Sequence, residues 1–150
     1  MTDRPLRFFL AGIMQGSHLA ATIHNQHYRQ DLKQLLARHF PGAEIYDPLA
    51  DHTDSLNYDD QLGRTVFFHH NRMCAEVDVV VAFVPEASMG TAIEMWQAHQ
   101  AGKAVLAISP LEHNWAVKFL SHAVYADVDE FNVALATGQV ARRIAAVLGQ

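Results

Sequence analysis

Residues 76–109, EVDVVVAFVPEASMGTAIEMWQAHQAGKAVLAIS, constrain the fold more than any other stretch of the chain. Asp78 opens a β-branched apolar run, Val79 to Val84, that Pro85 closes. A run of this kind is the pattern of a strand buried on both faces, as in a parallel sheet. Ser88 is a good N-cap, Met89 to Ala101 reads as a helix, and Gly102 stops it. A second apolar run, Ala104 to Ile108, ends before Pro110. Strand, helix and strand over this length predict a right-handed βαβ crossover.

Glu94 falls about one turn into that helix, beside the crevice where open parallel sheets bind ligands. Gly90, Thr91, Ala98 and Ala101 share its face, and their small size predicts close packing against the sheet. Helical side chains lean toward the N-terminus, which aims the carboxylate at the rim beyond Val84. The helix dipole favours its ionised form. An ionised, partly enclosed carboxylate at a crevice has the chemistry of a nucleophile or base. Acids also occupy the first turns of helices for dipole reasons alone, and spacing by itself favours that plainer reading.

The rest of the chain repeats the alternation. Leu6 to Ile13 is a strand that runs into the turn Gly12-Ile13-Met14-Gln15-Gly16-Ser17. A helix follows from about His18 to Phe40, with the stripe Tyr28, Leu32, Leu35, Leu36 and the terminator Pro41-Gly42. Ala43 to Tyr46 is a short strand. Gln61 to Val77 is a helix with the expected core stripe Leu62, Val66, His69, Met73, Val77 and a neighbouring stripe Phe67, His70, Cys74. A short helix from about Asn114, a strand at Ala123 to Ala126 and a helix from Asp127 to Leu148, with a break at Gly138, complete the chain. The expected fold is α/β, a flavodoxin- or Rossmann-like three-layer sandwich on a five-stranded parallel sheet of order 2-1-3-4-5. In that order the ligand crevice lies between the first and third strands.

Composition narrows the function. A chain of 150 residues, 50% hydrophobic, suits one domain spanning 1–150. A formal charge of −5 without a Lys/Arg cluster argues against nucleic acid as a partner. No run is long enough to span a bilayer, and the strand from Leu6 leaves no room for a signal peptide. The lone Cys74 excludes an internal disulfide and suits a reducing compartment, so a cytoplasmic location is expected. The irregular stretch 47–60, DPLADHTDSLNYDD, has the length of a lid. Its five aspartates lack the spacing of a calcium loop, and solvated loop acids are expected. Among ten histidines, His24 and His27 are three apart and His69 and His70 adjacent, without matching acids, so neither a metal nor a cofactor is expected.

Three segments together resemble the nucleoside 2-deoxyribosyltransferase superfamily, which includes nucleoside 5′-monophosphate N-glycoside hydrolases. They are FFLAGIMQGS, the acid-opened strand AEVDVVVAFV, and Ser88-Met89-Gly90-Thr91-Ala92-Ile93-Glu94 with the following Gly102-Lys103-Ala104-Val105. The resemblance implies that Glu94 attacks C1′ of the sugar, forming a glycosyl-enzyme and expelling the base. It implies a small-molecule nucleoside or nucleotide substrate whose 5′-phosphate is held by Ser88 and the amides of Gln15, Gly16 and Ser17; turns and helix N-termini of this kind suit an anion. Phe9, Gly12 and Gly90 fall at substrate-facing positions, and Asp47 is placed to meet ribose hydroxyls or to protonate the base. The resemblance further implies a homodimer or larger homo-oligomer whose neighbouring subunit completes the site. Asn114 stands near the residue lent across that interface, and a helix cap is an equal reading of it.

Three positions depart from the pattern. His70 stands eight residues before Asp78, where the family usually has an aspartate near the nucleophile; it either serves the site or is an ordinary half-buried histidine. Phe9 replaces a frequent tyrosine, and Trp96 a frequent glycine. Met89, Ile93, Trp96 and Gln100 form a second stripe, which gives the helix an apolar face needing another partner. A non-catalytic nucleotide-binding or sensor module on the same fold is the alternative function.

Overall fold

A computed structural model describes residues 4–14 and 25–150. In chain order the elements are β1 (Arg7–Gly12), α1 (Tyr28–His39), β2 (Glu44–Tyr46), α2 (Asp60–Glu76), β3 (Val79–Phe83), α3 (Met89–Gln100), β4 (Ala104–Ile108), α4 (Trp115–Leu120), β5 (Ala123–Tyr125), α5 (Val128–Ala136) and α6 (Gln139–Leu148). A single 3-10 turn, Ser55–Asn57, interrupts the loop between β2 and α2. All five strands pair in parallel in the order β2-β1-β3-β4-β5. The fold class and strand order expected from the sequence are those of the structure.

Alternation along the strands divides the core into two layers. Phe8, Leu10, Val79, Val81, Leu106 and Ile108 face α1, α5 and α6, meeting Leu32, Leu36, Phe131, Val140 and Ile144. Phe9, Ala11, Val80, Ala82, Val105 and Ala107 face α2, α3 and α4, meeting Cys74, Val77, Met95, Ala98 and Val117. Helix starts are fixed by side-chain caps at Asp59, Ser88, Asn114 and Asp127, each accepting from backbone amides of the first turn. Gly102, at φ 72°, takes the left-handed step that ends α3 and admits β4.

Asp78 anchors the opposite end of the sheet from the crevice. Its carboxylate accepts from Arg4 at 2.7 and 2.8 Å and from the Arg7 amide at 2.8 Å. The hydrogen bond from Arg4 holds its carboxyl below the usual range. This acid, part of the resemblance, ties the chain ahead of β1 to the start of β3.

Three elements depart from expectation. Residues 25–27 are not helical and α1 begins only at Tyr28; His18 to His24 lie outside the described residues. In α2 the inward face is Asn71, Cys74 and Val77, whereas Leu62 and His69, expected in its core stripe, are exposed. In α3 the sheet-facing residues are Thr91, Met95 and Ala98. Gly90 faces open space and not the sheet, since an added Cβ would meet no atom within 4 Å.

Candidate functional site

In the order β2-β1-β3-β4-β5 the connections leaving the C-terminal ends of β1 and β3 run to opposite sides and open a crevice between them. The crevice is a cavity of about 340 Å³, within the range of small-molecule sites. Gly12 and Met14 at the end of β1, Arg29 of α1, and Ser88, Met89, Gly90, Thr91 and Glu94 at the start of α3 form one part of its wall. Pro48, His52, Ser55, Leu56 and Tyr58 of the 47–60 loop and Gly63, Phe67, His70 and Asn71 of α2 form the other.

Glu94 is half-buried, and its only hydrogen-bond partner among the described residues is the Cys74 thiol, Sγ to Oε2 at 4.0 Å. Burial pushes its carboxyl up to about 8, against a lowering influence of the Arg29 charge. The expected ionised form is therefore not the resting one at neutral pH. A helix N-terminus stabilises an anion by about 0.3–1 kcal/mol within its first turn, less than the 1.4 kcal/mol that shifts a pKa by one. Desolvation outweighs it. Burial, reinforced by the Glu94 charge, keeps Cys74 protonated, so the thiol is a donor to the carboxyl.

Among the described residues Arg29 is the cation of this wall, and only 2% of its surface is exposed. It donates to Leu10 O at 3.0 Å, to Asp47 Oδ1 at 3.3 Å and to Gln26 Oε1 at 2.7 Å. Asp47 is thereby withdrawn from the part expected of it. It is buried, bonded also to Lys33 Nζ at 3.3 Å and to the Leu49 amide at 2.9 Å, and it does not line the cavity. Its physical task is to neutralise a buried guanidinium and start the loop.

His70 does line the cavity with Glu94, but its hydrogen bond runs to Tyr46 Oη, 3.2 Å from Nε2. Burial, then His52, His69 and Arg29, lower it to about 4, so it is a neutral imidazole at pH 7. Phe9 lies fully buried behind it, stacked on Tyr46 at 5.6 Å, and is core rather than cavity wall. Gly12 is a wall residue with a steric reason. A Cβ there would lie 2.2 Å from Tyr28 Oη, which hydrogen-bonds Ile13 O while its ring stacks on Phe83.

Ser88 lines the cavity, shares a hydrogen bond with Thr91 Oγ1 at 2.8 Å and accepts from the Thr91 amide at 3.4 Å. Asn114 caps α4 through the amides of Ala116 and Val117 and lies on a separate depression beside Ala87 and Met89. Gln15, Gly16 and Ser17 lie outside the described residues. Sequence reasoning missed Arg29, His52, Tyr58 and Asn71. Arg29 had a signal, since it precedes Leu32 and Leu36 by three and seven positions on a stripe meant to be buried. The loop residues had none, because irregular backbone has no period.

No protein-family model matches the sequence, and no curated protein matches it significantly. Solved structures do. The 2-deoxyribosyltransferase of the psychrotolerant bacterium Bacillus psychrosaccharolyticus superposes with a TM-score of 0.62 at 16% identity, covering 84% of this chain and 90% of that one. A conserved protein of Enterococcus faecalis V583 gives a TM-score of 0.62 at 14% identity, covering 89% and 98%. The CMP N-glycosidase BcmB of Clostridium botulinum gives 0.53 at 22% identity, covering 87% and 98%. The chain shares the fold of these solved structures. Within that fold the cavity occupies the crevice between β1 and β3, and Glu94 lies in its wall.

Proposed function

We propose that this protein is an enzyme that cleaves the N-glycosidic bond of a nucleoside or nucleoside 5′-monophosphate, by hydrolysis or by transfer of the sugar, with Glu94 as nucleophile. The observation that carries the reading is a half-buried carboxyl without a cationic hydrogen-bond partner, set in the wall of a cavity in the sheet crevice. Two structures sharing the fold are a deoxyribosyltransferase and a CMP N-glycosidase, which supports this class of reaction. In the reading, the Glu94 carboxylate bonds to C1′, the base departs with the electrons of the C1′–N bond, and water or a second base then takes the sugar. Ser88 and the backbone amides of Gln15, Gly16 and Ser17 receive the 5′-phosphate, Gly90 contributes to the substrate space beside Glu94, and the base lies under the 47–60 loop. The protein works in the cytoplasm as a homodimer joined through the apolar side chains that α2 and α3 expose.

Incubation with a panel of nucleosides and 5′-monophosphates, followed by chromatography for free base, tests this. Release by the wild type and its loss in Glu94→Ala is the expected result. Undiminished release by the variant contradicts the assigned nucleophile. The second reading, a nucleotide sensor, is favoured by the neutral His70 that stands in place of an acid. Calorimetric binding of a nucleotide without release of base over a long incubation would select it.

A further inference from the structure

The proposed cleavage needs a proton for the departing base, and the loop acid expected to give it, Asp47, is enclosed by Arg29 and Lys33 away from the cavity. Among the described residues, the titratable side chains in the cavity wall are Arg29, His52, Tyr58, His70 and Glu94. An arginine does not give up its proton in a protein, and a phenol holds its own up to about pH 10. Glu94 is the nucleophile, and His70 is kept neutral, bonded to Tyr46. Histidine is the residue type that carries a transferable proton near neutrality, which leaves His52.

The geometry around His52 suits that work. Its Nδ1 is 2.8 Å from Tyr58 Oη, and the two rings meet edge to face at 87°. The His70 ring lies against it at 69°, centroid to centroid 5.2 Å. The imidazole is thus clamped by one nitrogen, while Nε2 has no hydrogen-bond partner among the described residues. A ring held through one nitrogen with the other free is the arrangement of a general acid.

We propose that His52 is the general acid that protonates the departing base, with Tyr58 as its positioning residue; this rests on the N-glycosidic reading above. As Glu94 bonds to C1′, the C1′–N electron pair moves onto the base nitrogen, which takes the proton from the His52 Nε2–H. The imidazolium becomes imidazole, its Nδ1–H still directed to Tyr58 Oη. When water attacks C1′ and releases the Glu94 carboxylate, the neutral His52 takes the water's proton and the cycle closes.

The test compares a nucleotide carrying the best-cleaved base with its fluorinated analogue, which has nearly the same shape but leaves more readily as an anion. For His52→Gln, kcat/KM on the parent falls about a hundredfold, the low end for general acid catalysis. The loss is at least fivefold smaller on the fluorinated substrate. Tyr58→Phe loses less than His52→Gln, with the same preference. Losses equal on both substrates, or no loss in a His52→Gln variant whose melting curve matches the wild type, overturn the assignment while leaving Glu94 in place. A wild-type chain that releases no base overturns the reading beneath it as well.

Discussion

Glu94 sits where its protonated form is the more stable one, and reactivity and stability pull there in opposite directions. In the proposed reaction attack on C1′ needs the Glu94 carboxylate and departure of the base needs the His52 proton, so kcat/KM of the wild type should be bell-shaped. In His52→Gln, which lacks the acid, it should rise with pH and level off near the carboxyl's value of about 8. A profile flat between pH 5 and 9 would exclude Glu94 as the group that must ionise. Stability runs the other way. Between the ordinary 4.5 and about 8 the unfolded chain loses this proton and the native chain keeps it, so stability falls as pH rises through that window and is unaffected below it. At about 1.4 kcal/mol per tenfold change in proton affinity, ionisation costs the native state a few kcal/mol by pH 8. Glu94→Gln should therefore melt higher than wild type at pH 8 and no higher at pH 4. At Gly12 the demand is for space. Gly12→Ala drives a methyl into the Tyr28 phenol and should cost about 1–3 kcal/mol, read as a lower Tm; an unchanged Tm would mean that Tyr28 moves aside freely.

The elements that the sequence disclosed best are those with clear start and stop signals. β3, α3 and β4 lie between breakers and are apolar or capped where the sheet requires it, and their ends agree with the pattern to within a residue or so. α2 departs from its pattern because apolar Leu62 and Phe68 are exposed on its outward side, while Phe67 and the polar His70 and Asn71 turn toward the cavity. A hydrophobic stripe cannot say which of two apolar environments it faces. The 47–60 loop defeated the sequence for another reason, since Asp47 is explained by Arg29 and Lys33 on a different helix. Asp47→Asn removes the acid from a buried guanidinium, a change that costs about 3–5 kcal/mol when a buried pair is broken. Its effect should include faster amide exchange over residues 48–58 and a raised KM with kcat less affected. Exchange unchanged across the loop would mean that the ion pair does not anchor it.

On the scale of the whole molecule, the alternation of short apolar strands with helices was enough to specify a five-stranded parallel sheet and the place of its crevice. On the outside of the α2–α3–α4 layer the sequence shows the stripe Met89, Ile93 and Trp96, all three of them exposed. The structure adds Phe68, Trp115 and Phe119, all exposed on that layer's helices, a concentration that favours association. Phe68→Glu with Trp96→Glu should convert a dimer into a monomer by light scattering; an unchanged mass places the interface elsewhere. The most direct test of the central claim is mass spectrometry of the enzyme quenched during turnover of its best-cleaved nucleotide, followed by peptide mapping. The account predicts a sugar-sized mass increase on the peptide carrying Glu94, absent from Glu94→Ala. Steady release of base with no adduct at Glu94, or with one on another side chain, would contradict it.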